Sequence, residues 1–168
     1  MLENFLSILI AFGPIGLFMA SIIGNATLFL PLPIDILIIP LASIDYFGLG
    51  ILSPLILAFI VGLGAAIGEM SGYFVGLAGI SSFEKLKNKQ FQNLNELKAK
   101  LDKWGMWLIA FFAFTPLPFD LIGIVAGISK YSKVKFFIGC FVGKFPRYII
   151  LCYAGYFGIQ FITSIFAG

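Results

Sequence analysis

A five-residue pattern, Pro-Leu-Pro-x-Asp, occurs twice in this sequence, as PLPID at 31–35 and as PLPFD at 116–120. The two copies start 85 residues apart, and the long apolar stretch 48–80 lies between them. Because one membrane crossing between the copies would invert the second one, the pattern predicts an inverted repeat of discontinuous helical hairpins. The residues predicted to break the hairpins are Pro31, Pro33, Pro116 and Pro118.

The acid of each copy is predicted to lie in the first turn of a helix. Proline has no backbone N–H and suits the first helical position, so Pro33 and Pro118 can each begin a helix. The helix dipole stabilises a carboxylate in that turn, so Asp35 and Asp120 could serve only to stabilise the helix ends. We favour the alternative that they line a substrate or proton path, because a charge at membrane depth is costly.

The composition is that of an integral membrane protein. Of the 168 residues, 60% are hydrophobic and only 11% are charged, and the mean hydropathy is +1.04. A soluble domain carries about 25% charged residues, so a soluble protein, a disordered chain and a nucleic-acid-binding protein are excluded. The sequence contains no histidine, and we expect neither an enzyme, nor a cofactor, nor a metal site. Cys140 and Cys152 are predicted to be buried thiols.

The charges are distributed unevenly along the chain. Residues 1–80 carry four acids and no base, whereas residues 81–168 carry all eleven Lys and Arg residues. Basic short loops mark the cytoplasmic side of a membrane. Segment 81–104 has apolar residues at helical spacing, so it is predicted to be an amphipathic helix on the cytoplasmic surface of the plasma membrane. The N-terminus is then cytoplasmic, and Asp45 lies outside.

We expect a single all-α membrane domain over residues 1–168, built from two repeats. The first repeat, 1–80, comprises a spanning helix at Phe5–Ile23 that breaks at Gly24-Asn25, a re-entrant hairpin at about 27–44 and a long tilted or broken helix. The second repeat, 105–168, begins with a hairpin at about 105–129. Basic loops flank this hairpin on both sides, and 25 residues are too few to cross a membrane twice, so it must enter and return.

Three further ionisable residues lie in apolar helices. Glu69 is the only charge in 48–80, and Lys144 and Arg147 share a helix face unless Pro146 kinks it. We expect Glu69, with the two aspartates, to exchange protons, although a salt bridge to one of the bases is the alternative. We expect Arg147, assisted by Lys144, to bind a phosphate, although both long side chains could instead extend to the headgroups.

Several motifs together resemble the DedA / SNARE-associated Golgi protein (VTT-domain) family of integral membrane proteins. They are the hairpin at 31–35, Gly-Glu-x-x-x-Tyr-x-x-Gly at 68–76, Pro-x-x-x-Asp at 116–120 with Ala126-Gly127, Gly-x-x-Pro-Arg at 143–147, and Ala154-Gly155. The resemblance implies two re-entrant hairpins inserted from opposite sides. It also implies translocation of polyprenyl-phosphate carriers, as in prokaryotic members, or scrambling of phospholipids, as in eukaryotic relatives.

The resemblance extends to individual residues, with some departures. Asp35, Glu69 and Asp120 match acidic positions of the family, and Arg147 matches its arginine near the C-terminal end. Bacterial members often place an acid before the first hairpin, where Asn25 is the nearest polar residue here. They also place arginines around the second hairpin, where this chain has Ala113 and Phe119.

The predicted function is therefore a flippase for an anionic lipid carrier such as a polyprenyl phosphate, coupled to protons or to another cation. The alternatives are an uncoupled phospholipid scramblase and a membrane assembly protein. The predicted partners are membrane lipids, and a homo-oligomer is left open.

Overall fold

The computed structural model describes residues 2–26, 34–83, 103–115 and 119–166, which are helical apart from short turns and contain no β-strand. The helices are α1 (Leu2–Ala26), α2 (Ile34–Leu41), α3 (Ser53–Phe83), α4 (described over Lys103–Phe114), α5 (Asp120–Ile128) and α6 (Lys133–Phe166). A short 3-10 turn, Gly50–Leu52, precedes α3. The all-helical class predicted from the composition is thus confirmed for these residues.

Two helices in the described part of the chain are long and apolar enough to cross a membrane, Gly50–Gly79 and Lys133–Ile159. Helix α3 has 31 residues, so at about 1.5 Å per residue it is roughly 46 Å long. It is continuous, so the prediction of a long helix over 48–80 is confirmed and a break within it is not needed. Large apolar side chains such as Phe59, Ile150 and Phe157 are exposed on these helices, as expected for surfaces that face lipid.

Helix α1 corrects one predicted boundary. The chain remains helical through Gly24 and Asn25 to Ala26, so the predicted break there is wrong. The helix is interrupted at Gly13-Pro14, the pair that also interrupts the uncharged run 4–34 in the sequence, and the φ of 54° and ψ of −134° at Gly13 lie outside the helical region. A positive φ suits glycine, and proline removes the next backbone donor, which together account for the kink.

Glycines bring the long helices close to their neighbours. On α3, Gly64 and Gly68 lie against the backbone carbonyls of Phe18 and Ile22 of α1. On α6, Gly139 and Gly143 lie against the carbonyls of Met106 and Ala110 of α4 in the same manner. Small residues at such crossings allow backbones to approach within membranes. Helix α1 therefore packs on α3 as α4 packs on α6.

The two short helices pack on the long helix of the other half. Helix α5 lies on α3, where Gly127 contacts the carbonyl of Tyr73. Helix α2 lies on α6, where Gly155 contacts the carbonyl of Ile39. Helices α3 and α6 also pack against each other, so they form the centre of the bundle.

Some predicted features lie outside the described residues. Residues 81–83 belong to the end of α3 and 103–104 to α4, and the rest of the predicted amphipathic helix, 84–102, lies outside the described residues. The same holds for Pro31, Pro33, Pro116 and Pro118. The structure does confirm that Asp35 and Asp120 lie in the first turns of α2 and α5.

Candidate functional site

The five predicted site residues come from four helices that meet inside the bundle. Asp35 lies in the first turn of α2, Glu69 lies in the middle of α3, and Asp120 is the first residue of α5. Lys144 and Arg147 lie one turn apart on α6, which continues through Pro146. The two bases therefore point towards one region of the molecule, as their spacing predicts.

Lys144 and Glu69 form a buried ion pair between α6 and α3. Lys144 Nζ lies 2.8 Å from Glu69 Oε1, and the two side chains are only 7% and 6% exposed. The same ammonium donates a hydrogen bond of 2.9 Å to Asn25 Oδ1 on α1, and lies 5.9 Å from the centre of the Phe119 ring. The prediction that Lys144 could extend to the headgroups is wrong, because its charge is satisfied inside the bundle. The salt bridge foreseen as the alternative for Glu69 is present.

Arg147 connects α2 with α4. Its Nη2 donates a hydrogen bond to Asp35 Oδ2, and its Nη1 donates one of 2.9 Å to the backbone carbonyl of Thr115. The side chains of Arg147 and Asp35 are 19% and 35% exposed, so this pair is more open than the pair beside it. Arg147 thus contacts the start of one predicted hairpin helix and the end of a helix from the other hairpin.

Asp120 lies near the buried pair but outside it. It interacts electrostatically with Lys144 and with Glu69. Among the described residues it forms no salt bridge, in contrast to Asp35 and Glu69. Its side chain is only partly buried.

Uncharged polar groups hold the charged residues in place. Asn25 Nδ2 donates 2.8 Å to the carbonyl of Ser21, and Ser21 Oγ donates 2.8 Å to the carbonyl of Val61. This chain of hydrogen bonds joins the Lys144 ammonium to α1 and to α3. The sequence predicts no role for Asn25, which is only the nearest polar residue before the first predicted hairpin. Its position three residues after Ile22, on the face that α3 covers, becomes evident only in the packed bundle.

A second internal repeat was also missed. The pattern Gly-x-x-x-Gly-charge-x-x-x-Tyr occurs at 64–73 and again, 75 residues later, at 139–148. The charged residue is Glu69 in the first copy and Lys144 in the second, and these two residues pair with each other. The signal was present in the sequence, but the opposite charges conceal it from a search for identical residues.

The site lies within a region of the chain that matches a known protein family. A family model described as the VTT domain matches residues 32–157. The chain belongs to the VTT-domain family. All five ionisable site residues lie within the matched region, whereas Asn25 lies before it.

Two bacterial proteins are similar to parts of this VTT-domain chain. A protein of Haemophilus influenzae is 23% identical over 126 residues, which cover 74% of this chain and 63% of the relative. A membrane protein of Mycobacterium tuberculosis is 30% identical over 94 residues, which cover 54% of this chain and 39% of the relative. The matched part is thus less than two thirds of the length of each relative. No solved structure matches the chain significantly.

Among the described residues, two ion pairs and Asp120 are the ionisable groups of this VTT-domain site. The described residues include no group of three His, Cys, Asp or Glu side chains that could hold a metal ion. Cys140 and Cys152 are buried free thiols, as predicted.

Proposed function

We propose that the protein moves an anionic lipid with a phosphate headgroup, such as a polyprenyl phosphate, across the membrane together with protons. The observation that carries this proposal is the partly exposed pair of Arg147 and Asp35, which bridges α2 and the end of α4 inside an apolar bundle. The Arg147 guanidinium is partly exposed and already paired with a carboxylate, so it can exchange that carboxylate for a phosphate with little rearrangement of the protein.

The phosphate step is an exchange of partners. A phosphate can accept two parallel hydrogen bonds from an arginine, whereas Asp35 accepts a hydrogen bond from Arg147 through one carboxylate oxygen. The headgroup displaces Asp35 from Arg147, while the hydrogen bond to the Thr115 carbonyl keeps the guanidinium oriented. Lys144 assists from one turn away, but only after it has loosened its contact with Glu69.

The proton step follows from the charges that remain. A carboxylate that loses its base within a bundle of low dielectric is costly unless it is neutralised. Asp35, Glu69 and Asp120 therefore form the set of groups that take up protons when phosphate binds and release them when it leaves. No covalent bond forms or breaks, so the protein acts as a carrier rather than an enzyme.

The helix lengths support the proposed membrane arrangement. Helices α2 and α5 have 8 and 9 residues, or about 12–14 Å at 1.5 Å per residue, against a hydrocarbon core of about 30 Å. Helices of this length suit two re-entrant hairpins in an inverted repeat, with the N-terminus and segment 81–104 on the cytoplasmic side of the plasma membrane. Each short helix packs on the long helix of the other half of the chain, α5 on α3 and α2 on α6, which supports the same arrangement.

Reconstitution in liposomes tests this function. We expect the wild-type chain to translocate labelled polyprenyl phosphate faster than phosphatidylcholine, and faster still when a pH gradient is imposed. Arg147→Lys should slow translocation by about 10- to 150-fold, because a charged hydrogen bond worth roughly 1.5–3 kcal/mol is lost. Lys135→Gln, which removes an exposed base from the start of the same helix, is the matched control and should leave the rate unchanged.

The same measurement separates the alternatives. Equal rates for all lipids with no response to the gradient would identify an uncoupled scramblase. Absence of translocation by the wild-type chain would favour a membrane assembly protein.

A further inference from the structure

The site holds more negative than positive charge. Three carboxylates, of Asp35, Glu69 and Asp120, face the two bases Lys144 and Arg147, and each base is paired with one of the first two acids. Among the described residues the site therefore has one negative charge in excess, and Asp120 is the acid without a salt bridge. A bound phosphate would raise that excess further in a region where uncompensated charge is costly.

The second internal repeat shows why Asp120 has no salt bridge among the described residues. Arg147 stands three residues after Lys144, and the residue three after Glu69 is Gly72. Arg147 contacts the first turn of α2, and Gly72 correspondingly lies beside the first turn of α5. A Cβ on Gly72 would lie 3.5 Å from the Asp120 carbonyl oxygen and 3.7 Å from the Gly123 Cα, which is ordinary contact. Glycine thus occupies the position from which a base would reach the acid of the second hairpin.

We infer that Asp120 is the carboxylate that takes up the first proton when the phosphate headgroup binds, and that Gly72 leaves it free to do so. This inference rests on the proposed function and narrows it to one of three acids. The charged groups facing Asp120 are Glu69 from α3 and Lys144 from α6, and these two are already paired with each other. The proton comes from water when the headgroup enters the site and returns to water when it leaves.

Infrared difference spectroscopy of the full chain in phosphatidylcholine vesicles tests the inference without relying on transport. A protonated carboxyl group has its own C=O stretching band. Because the chain has eight carboxylate side chains, the test follows the first such band to grow as the pH is lowered, and we expect its growth to begin at a higher pH when polyprenyl phosphate is added. Asp120→Asn should abolish this band, whereas Asp35→Asn should keep it. A band that persists in Asp120→Asn, or that is lost in Asp35→Asn, overturns the inference, and so does a wild-type chain without a titrating band.

An added base gives a second, independent variant. Gly72→Arg places a guanidinium next to Asp120 and should remove the band at every pH where the wild type shows it, because the acid is then held in its ionised form. Gly158→Arg is the matched control, since Gly158 lies in open space on α6, and it should keep the band. Retention of the wild-type band in a folded Gly72→Arg protein overturns the inference.

Failure of the inference can be told apart from failure of the proposed function. If the wild-type chain does not translocate polyprenyl phosphate, the proposed function is refuted whatever the infrared band does. If translocation is normal and responds to the gradient, but the band remains in Asp120→Asn, only the assignment of Asp120 is refuted.

Discussion

At the scale of single residues, the pair Glu69–Lys144 is the most enclosed charge in the described part of the molecule. Removing two charges from water costs several kcal/mol per ion, and the attraction between them often does no more than offset that cost. Removing one partner is worse, because the other is left buried and uncompensated. The pair is therefore expected to matter more for how α3 and α6 fit together than for net stability.

Charge replacement at this pair gives a prediction. Glu69→Gln or Lys144→Met alone should lower the free energy of unfolding by about 3–5 kcal/mol, because one buried charge remains unpaired. The double variant Glu69→Lys, Lys144→Glu should recover most of the lost free energy of unfolding. The reason is that Glu69 and Lys144 occupy the same position of the second internal repeat, each directly after a close-packed glycine. Thermal unfolding in detergent, followed by circular dichroism, measures this. An exchanged protein as unstable as the single variants would contradict the equivalence of the two positions, and the exposed Lys133→Glu serves as the charge control.

The five ionisable residues stand out in the sequence, but the sequence does not say which carboxylate pairs with which base. Polar residues in an apolar chain are conspicuous, and their cost in a membrane marks them out. Which carboxylate meets which base depends on the angles at which α2, α3 and α6 cross. The contribution of Asn25 and of the Thr115 carbonyl depends on helix ends meeting α6, and no local pattern encodes this.

At the scale of helices, the sequence predicts which helices are present more reliably than it predicts the residues at which they begin and end. Continuous apolar stretches located the two long helices, and proline located the starts of α2 and α5. The predicted break at Gly24-Asn25 was wrong because Asn25 hydrogen-bonds within its own helix and α3 packs against that turn through Gly68. A glycine beside an asparagine indicates a helix end only where no neighbouring helix covers it.

The crossing of α5 and α3 gives a prediction at this scale. Gly127 lies against the carbonyl of Tyr73, and a methyl group there would overlap with it. Gly127→Ala should therefore force the two helices apart and lower the free energy of unfolding by about 1–3 kcal/mol. Thermal unfolding in detergent is again the measurement. Gly158→Ala, in open space on α6, should not destabilise the protein and is the control. If the Gly127→Ala protein has the same free energy of unfolding as the wild type, the contact between α5 and α3 is looser than the structure indicates.

At the scale of the whole molecule, the two halves are interlocked rather than placed side by side. Each short helix lies on the long helix of the other half, and each ion pair joins α6 to a helix from the first half. A shift of α2 or α5 against the long helix on which it packs would therefore also displace charges that the other half contributes. Under the proposed function, this couples a headgroup at Arg147 to Asp120 on a different helix. Contacts of this long range could not be predicted from the sequence, because a repeat in sequence does not say which copy packs on which.

Labelling from the two sides of the membrane tests the arrangement of the hairpins. If 105–129 enters and returns, cysteines introduced at the exposed positions Trp104 and Lys130 should react with an impermeant maleimide from the same side, and a cysteine at Asp45 from the other. Cys140 and Cys152 are both 0% exposed, so the unaltered chain should remain unlabelled and is the control. Labelling of 104 and 130 from opposite sides would make the second hairpin a full crossing. The two copies of Pro-Leu-Pro-x-Asp would then no longer be inverted, and Asp35 and Asp120 would no longer approach one site from opposite faces of the membrane.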